Sequence, residues 1–168
     1  QLWAASLVLS HWLLELREHL NGRAVCELGA GCGLCGLVAA KLCGVSRALL
    51  TDLAPQTLDN LQHNLTLNGL DKSCAQAELL DWRDASSWPQ PHDVVIGADL
   101  VYADEAVAPL LRVVQALVTP SGCFLYVAPE TNRQGEAEFL RGLCAAGFEC
   151  QVSAVPTSYL ANVLQGRD

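Results

Sequence analysis

The strongest constraint on the fold is the stretch CELGAGCGLCG, which runs from Cys26 to Gly36 and holds four glycines in eleven residues. The short apolar run Ala24–Leu28 leads straight into it, and a run of small apolar residues, Leu34–Leu42, follows. Glycine lets the backbone turn sharply and approach a ligand that a Cβ would obstruct. The pattern therefore predicts a strand, a tight turn with a ligand site, and a helix. The glycines of the turn itself are Gly29, Gly31 and Gly33.

The glycines can be grouped in two ways, and each grouping indicates a different cofactor. From Gly31 they follow G-x-G-x-x-G, the spacing of a dinucleotide-binding turn, whereas from Glu27 they follow E-x-G-x-G-x-G. A carboxylate beside the turn would repel a pyrophosphate, but it can hold the cationic methionyl end of S-adenosylmethionine directly or through water. We therefore interpret Gly36 as a close-packing residue at the helix start and predict S-adenosylmethionine as the cofactor.

Short apolar runs alternate with helical patterns along the rest of the chain, which predicts a Rossmann-like α/β fold: a doubly wound, mostly parallel sheet with helices on both faces. The predicted strands are Ala24–Leu28, Arg47–Thr51, Ala75–Leu80, Asp93–Gly97, Cys123–Ala128 and Phe148–Val155. The predicted helices are residues 4–19, 34–42, 55–67, 109–118 and 136–146. Asn162–Leu164 is a poor candidate for a seventh strand, so we expect the last strand to be missing.

The composition fits one folded domain, residues 1–168, because 51% of the residues are hydrophobic and 17% are charged. A formal net charge of −8, with ten scattered basic residues, disfavours nucleic acid as a partner. Lys41 and Arg47 interrupt the longest apolar stretch, so we expect no membrane partner. Because the chain begins at Gln1 instead of Met, we expect a domain shortened at both ends. We expect it to be a monomer.

The cysteines predict a reducing environment and no metal site. Cys32 and Cys35 form a C-x-x-C inside the turn, without a second cysteine pair or a histidine cluster nearby. Free thiols indicate a cytoplasmic location, with the nucleus as a second one. Six of the eight cysteines lie in apolar or strand-like runs and are expected to be buried, namely Cys26, Cys35, Cys43, Cys123, Cys144 and Cys150.

Acidic and aromatic residues follow successive predicted strands, where ligands of such sheets bind. Asp52 ends the second strand and can accept both ribose hydroxyls. Asp81 and Trp82 follow the third, where a carboxylate can accept from the adenine amine and an indole can cover the ring. Each also has a structural interpretation: Glu27 as an exposed strand end, Asp52 as a helix cap and Trp82 as a core aromatic. Their occurrence together favours a cofactor site.

These motifs resemble those of the seven-strand S-adenosylmethionine-dependent methyltransferases and, among them, methyltransferase-like family 16, the protein-lysine methyltransferases with a D-x-x-Y motif after the fourth strand. The matching segments are Trp3–Ala5, Glu27–Gly33, Leu50–Asp52, Leu80–Trp82 and Ala98–Tyr102. The resemblance implies that the cofactor is contacted by Trp3, Gly29, Ala30, Gly31, Asp52, Trp82 and Ala98.

The resemblance also implies the reaction: a methyl group moves to a lysine side chain of an intracellular protein, such as a chaperone or a translation factor. Asp99 and Tyr102 would then face the acceptor nitrogen as the catalytic residues. Asp99 can attract and orient the ammonium, and Tyr102 can line the lysine channel. As alternatives, Tyr102 is a packing residue and Asp99 bonds local backbone amides.

Three other functional hypotheses remain open at this point. The family's sheet normally ends in a hairpin whose last strand inserts between the fifth and sixth, so a shortened, catalytically inactive binding protein is one of them. A methyltransferase for arginine, histidine or a small molecule is the second. A nicotinamide-dependent oxidoreductase is the third, although no Tyr-x-x-x-Lys or similar group for hydride transfer is evident and Glu27 argues against it.

Overall fold

A computed structural model describes the backbone of residues 2–129 and 134–164 and the side chains of residues 2–129 and 135–160. Within these residues the strands are β1 (Ala24–Leu28), β2 (Arg47–Asp52), β3 (Ala75–Leu79), β4 (His92–Ala98) and β5 (Val118–Val127). The helices are α1 (Ala4–Glu15), α2 (Arg17–Leu20), α3 (Leu34–Leu42), α4 (Pro55–Leu67), α5 (Val107–Leu117), α6 (Gln134–Ala145) and α7 (Thr157–Leu164). None of the helices in this described part of the chain is long and apolar enough to cross a membrane.

The five strands form one parallel sheet in the order β3-β2-β1-β4-β5. β2 and β3 lie in sequence order on one side of β1, and β4 and β5 lie in sequence order on its other side. Strand order therefore reverses between β1 and β4, where Leu28 is paired with Gly97 at the carboxyl ends. Open parallel sheets bind their ligands in this crevice. The predicted fold class is confirmed, and its topology places the glycine turn and the residues after β4 on either side of one cleft.

Helices cover both faces of the sheet because successive residues of a strand point to opposite sides. In β4, Val95 belongs to the hydrophobic cluster that includes α5 and α6, whereas Val94 and Ile96 belong to the cluster that includes α1 and α3. Leu61 and Leu65 of α4 cover the part of the sheet formed by β2 and β3. The central strands are thus buried on both faces, as their continuous apolar sequences predict.

The predicted sixth strand, Phe148–Val155, is wrong, because these residues have irregular structure. Asn162–Leu164, weighed as a seventh strand, lies in α7. Among the described residues β5 pairs with β4 alone, and its other edge borders a groove of about 1060 Å³ lined by β5, α6 and residues 146–156. An alternating apolar pattern does not suffice for a strand, because the backbone groups of a strand need a neighbour to bond with.

Several ends of helices and strands differ from the prediction by one or two residues, and two elements differ by more. The helix predicted over residues 4–19 is divided at Leu16 into α1 and α2. The fifth strand begins at Val118 instead of Cys123, with a shift of its register on β4 between His92 and Val94.

The cysteines are all free, but only part of the predicted burial is confirmed. Cys26, Cys35 and Cys43 are buried, whereas Cys123 and Cys144 are exposed and Cys150 is half-buried. The burial of these cysteines was predicted from the apolar residues next to them in sequence. Such neighbours do not show whether another strand covers a cysteine in the folded protein. Cys123 and Cys150 line the groove beside β5 and have no such cover in the described structure.

Candidate active site

The turn after β1 is tightly packed on one side and open on the other. Gly29, Gly31 and Gly33 all have positive φ, of 58°, 55° and 80°. A Cβ on Gly33 would lie 2.5 Å from a methyl of Leu61, and one on Gly29 would lie 2.9 Å from a methyl of Leu100. A Cβ on Gly31 would meet nothing within 4 Å. Apolar side chains therefore pack against the turn at Gly29 and Gly33, whereas the backbone of the turn is accessible at Gly31.

Glu27 is buried at the end of β1 and is not the exposed strand end that one interpretation expected. It is 4% exposed, and its Oε2 accepts a hydrogen bond of 2.8 Å from the N–H of Gly36. Burial raises the pKa of this carboxyl from 4.5 to about 8; the nearby Asp52 charge acts in the same direction, and the Gly36 N–H opposes the shift. A Cβ on Gly36 would lie 2.6 Å from Glu27 Oε2 and 2.5 Å from Leu50, which confirms the close-packing role of Gly36.

Asp52 joins the end of β2 to the glycine turn. Its Oδ2 accepts from the N–H of Gly31 at 3.0 Å, and its Oδ1 accepts from the N–H of Ala54 at 3.1 Å, just before α4. The N–H of Ala30 donates to the carbonyl of Thr51 at 2.9 Å, which fastens the same two segments a second time. Each carboxylate oxygen of Asp52 accepts one of these hydrogen bonds and has the capacity for a second, so it can still receive a ligand hydroxyl.

Asp81 and Trp82 follow β3 and differ in their surroundings. Asp81 forms an ion pair with Arg83, whose Nε lies 3.0 Å from Oδ1, and this hydrogen-bonded guanidinium lowers the pKa of Asp81. Trp82 is half-buried against the hydrophobic cluster below the site, and its ring lies 3.7 Å from the position that a Cβ on Gly29 would occupy. The structure thus brings the indole to the turn, while the Asp81 carboxylate is shared with Arg83, a neighbour that sequence reasoning did not consider.

The chain reverses sharply after β4. Asp99 has a φ of 53°, and in the described residues it is the single non-glycine residue with a positive φ. Its N–H donates to the carbonyl of Val127 at 2.9 Å. The next residue, Leu100, folds back over Gly97, where a Cβ would clash with its side chain. Aspartate tolerates this backbone region better than most residues, and the reversal puts the D-x-x-Y segment beside the turn after β1.

The remaining predicted residues lie at the margins of this cleft. Ala98 is half-buried at the end of β4, and Tyr102 is 72% exposed. Trp3 is 56% exposed and precedes α1. The carbonyl of Ser6, three residues later, accepts from the Cys35 thiol of α3 at 3.5 Å, so the beginning of α1 lies next to the beginning of α3. The structure therefore brings the residues predicted at four strand ends to the same edge of the sheet, and the beginning of α1, which Trp3 precedes, lies beside α3.

Comparisons with known proteins agree with this architecture. The sequence model described as "Lysine methyltransferase" matches residues 1–145. The chain is 30% identical to EEF1A lysine methyltransferase 3 of Xenopus tropicalis over 89% of its own length and 66% of that protein. It is 36% identical to the human protein-lysine N-methyltransferase EEF2KMT over 68% of its own length and 39% of that protein.

A solved structure supports the fold independently. The ribosomal protein L11 methylase from Lactobacillus delbrueckii subsp. bulgaricus superposes with a TM-score of 0.66 at 18% identity, over 87% of this chain and 71% of that one. At this identity the likeness concerns the fold alone. The chain spans 66% and 39% of the lengths of the two sequence relatives above, so it corresponds to part of each.

Proposed function

The chain belongs to the lysine methyltransferase family, and on this premise we propose that it transfers a methyl group from S-adenosylmethionine to the side-chain amine of a protein lysine. The observation that carries the proposal is the meeting of two motifs at the reversal of strand order: the turn with Glu27 and Asp52 on one side, and the D-x-x-Y segment on the other. Methyl transfer requires a donor and an acceptor at adjacent positions, and we propose that both bind in this crevice.

The residues present fit S-adenosylmethionine. The open space over Gly31 admits a ligand to the backbone of the turn, and Asp52 beside it can accept ribose hydroxyls. Trp82, beside Gly29, would cover the adenine ring, and Glu27 behind the turn would accept from the cationic methionyl end, whose charge would favour the ionised carboxylate over the protonated form. When bound, the cofactor supplies a methyl group already activated by its sulfonium. Gly29, Ala30, Gly33, Asp81, Ala98 and Trp3 complete the proposed contact set.

Asp99 and Tyr102 are the proposed acceptor-facing residues. A lysine amine has a pKa of about 10.4 and is protonated at neutral pH, so it must lose its proton before it attacks. The Asp99 carboxylate would attract and orient the ammonium at the mouth of the crevice. The exposed Tyr102 would contact the lysine stem, while the net charge of −8 favours the approach of a basic protein segment.

A translation elongation factor is the first acceptor to test. The relatives described above carry EEF1A and EEF2 in their names, and we extend this acceptor class to the present chain as part of the proposal. A cytoplasmic and nuclear location, expected from free cysteines, belongs to the same proposal.

The experiment measures transfer of labelled methyl groups from S-adenosylmethionine to purified EEF1A and to proteins of a cell extract. Asp99→Asn is the test variant because asparagine tolerates the same backbone region, and Asp59→Asn on the exposed side of α4 is its matched control. We expect the first to lower the rate by about 100-fold or more and the second to leave it unchanged. Calorimetry should show both variants binding S-adenosylhomocysteine.

Two results would contradict the proposal. If the folded protein does not bind S-adenosylhomocysteine, S-adenosylmethionine is not its cofactor. Binding without transfer to any protein would instead favour a non-catalytic binding protein with a methyltransferase fold.

A further inference from the structure

Tyr126, near the end of β5, contacts the D-x-x-Y segment through its hydroxyl. The phenol oxygen accepts hydrogen bonds from the N–H groups of Leu100 at 3.2 Å and Val101 at 3.4 Å. The hydroxyl in turn donates to Oε1 of Glu136, in the first turn of α6, at 2.8 Å. Neither Tyr126 nor Glu136 belongs to a motif of the cofactor site. Together they connect β5, α6 and the two residues that separate Asp99 from Tyr102.

The hydroxyl is an acceptor for two N–H groups whose residues are deeply buried. Leu100 and Val101 are 2% and 1% exposed, so water cannot easily replace the phenol oxygen. The N–H groups converge on it because the backbone reverses at Asp99 and because Tyr126 is paired in register with Gly97, whose missing side chain leaves room for Leu100. The Tyr126 ring is itself held by stacking on Phe124 at 5.5 Å and by edge contact with Phe139 at 5.8 Å.

The beginning of α6 provides a second contact with the same segment. A Cβ on Gly135 would lie 2.9 Å from both Asp104 Oδ1 and Val101 Cγ1, so α6 lies directly against the segment. On the opposite side, Leu100 reaches the glycine turn, within 2.9 Å of the position for a Cβ on Gly29. The D-x-x-Y segment is therefore fixed between Tyr126 and Glu136 on one side and the proposed cofactor turn on the other.

We propose that Tyr126 and Glu136 are positioning residues that hold Asp99 and Tyr102 at a set distance from the cofactor turn. The inference rests on the proposed function. Methyl transfer is an in-line displacement whose rate depends on alignment of the acceptor, and small displacements of aligning groups lower the rate strongly. Loss of the Tyr126 hydroxyl leaves two buried donors without this acceptor and lets the segment shift, while the cofactor turn keeps its own contacts with Asp52.

The test compares two tyrosines that differ in their place in the fold. Tyr126→Phe removes the hydroxyl at the D-x-x-Y segment, and Tyr159→Phe removes a hydroxyl of α7 that lies beside α1, away from the segment. With an acceptor that the unmodified protein methylates, Tyr126→Phe should lower kcat/KM for the acceptor by about 30-fold. The Kd for S-adenosylhomocysteine should stay within about twofold of its original value, since most of its proposed contacts lie on the glycine turn and at the ends of β2 and β3. Tyr159→Phe should change neither quantity.

Two substitutions of Glu136 give a second test, and hydrogen exchange gives a measurement that does not depend on enzymatic activity. Glu136→Gln keeps an oxygen for the Tyr126 hydroxyl and should retain most of the activity, whereas Glu136→Ala should resemble Tyr126→Phe. Hydrogen exchange at the amides of Leu100 and Val101 should accelerate in Tyr126→Phe and Glu136→Ala, and not in Tyr159→Phe.

The inference is overturned if Tyr126→Phe methylates its acceptor as fast as the unmodified protein, or if the Kd for S-adenosylhomocysteine rises as much as kcat/KM falls. The second result would indicate a general structural role. If the unmodified protein methylates nothing, both the proposed function and this inference are wrong. If the unmodified protein is active and Tyr126→Phe is equally active, only the inference is wrong.

Discussion

The centre of the sheet and the outer edge of β5 differ in how their strands are covered. β1 and β4 have a strand on each side and helices on both faces, and the buried Glu27 is hydrogen-bonded there. β5 has one strand neighbour within the described residues, and its Cys123 is exposed. Strands with similar apolar sequences therefore differ in how many strands they pair with and in how deeply they are buried, because both depend on the rest of the fold. The candidate site lies at the centre, where its groups are held from several directions.

The largest effect that would test this comparison is expected at the glycine turn. Gly33→Ala places a methyl group 2.5 Å from Leu61 in a left-handed backbone region and should lower the free energy of unfolding by about 4 kcal/mol. Gly69→Ala is the matched control, because its φ is 66° and nothing lies within 4 Å of the new methyl group. It should cost about 1 kcal/mol. Urea unfolding measures both, and equal losses would mean that the turn is no more tightly packed than the end of α4.

A smaller effect, dependent on pH, is expected from Glu27. Its pKa is about 8 in the folded protein and 4.5 as the ordinary value, so between these values the folded state binds a proton that the unfolded state has released. The free energy of unfolding should fall as pH rises through this window, by roughly 3 kcal/mol between pH 5 and pH 8. Glu27→Gln cannot ionise and should abolish that part of the fall. Among titratable groups, Cys35 and Asp52 also act on the pKa of Glu27: the hydrogen bond with the Cys35 side chain lowers it and the Asp52 charge raises it.

Unfolding curves at several pH values measure this effect. Glu18→Gln in α2 changes an exposed carboxyl and should keep the original pH dependence. A Glu27→Gln variant with the same slope as the unmodified protein would mean that Glu27 is ionised in the folded state.

The smallest effect compares two valines, one from each region. Val95 in β4 is 0% exposed, and Val95→Ala should lower the free energy of unfolding by about 2 kcal/mol. Val152 lies in the segment predicted as the sixth strand and is 73% exposed. Val152→Ala should change the free energy of unfolding by less than about 0.5 kcal/mol. Thermal or urea unfolding measures both, and a comparable loss at Val152 would show that this segment is packed as a strand in solution.

Much of the fold follows from local patterns. The bounds of β1, α3 and α4 agree with the predicted segments, because the apolar run, the glycines and Pro55 act on the residues next to them. A helix satisfies its backbone groups internally, so a local pattern suffices for it. The segment Phe148–Val155 has a strand-like pattern as well, but a strand requires a second segment from elsewhere in the chain.

The candidate site was predictable to a similar extent. Asp52, Asp81, Trp82 and Asp99 were predicted as site candidates because each ends or follows a strand, and parallel strands bring their carboxyl ends to one edge. The ion pair between Asp81 and Arg83 was within reach of the sequence, since the two are two residues apart. The contacts of Tyr126 were not, because its hydroxyl bonds residues 25 and 26 positions earlier in the chain.

The sequence by itself determined the glycine turn, the order of strands and helices as far as α6, and the acids at the strand ends, because these depend on neighbouring residues and on the direction of parallel strands. Only the tertiary structure decided that Glu27 is buried, with a raised pKa and the N–H of Gly36 as its partner. It also decided that the Tyr126 hydroxyl is hydrogen-bonded to the D-x-x-Y segment and that, within the part of the chain that the structure describes, β5 pairs with one strand. Burial, pairing and cover arise from contacts between distant segments, and a one-dimensional pattern does not specify which segments meet.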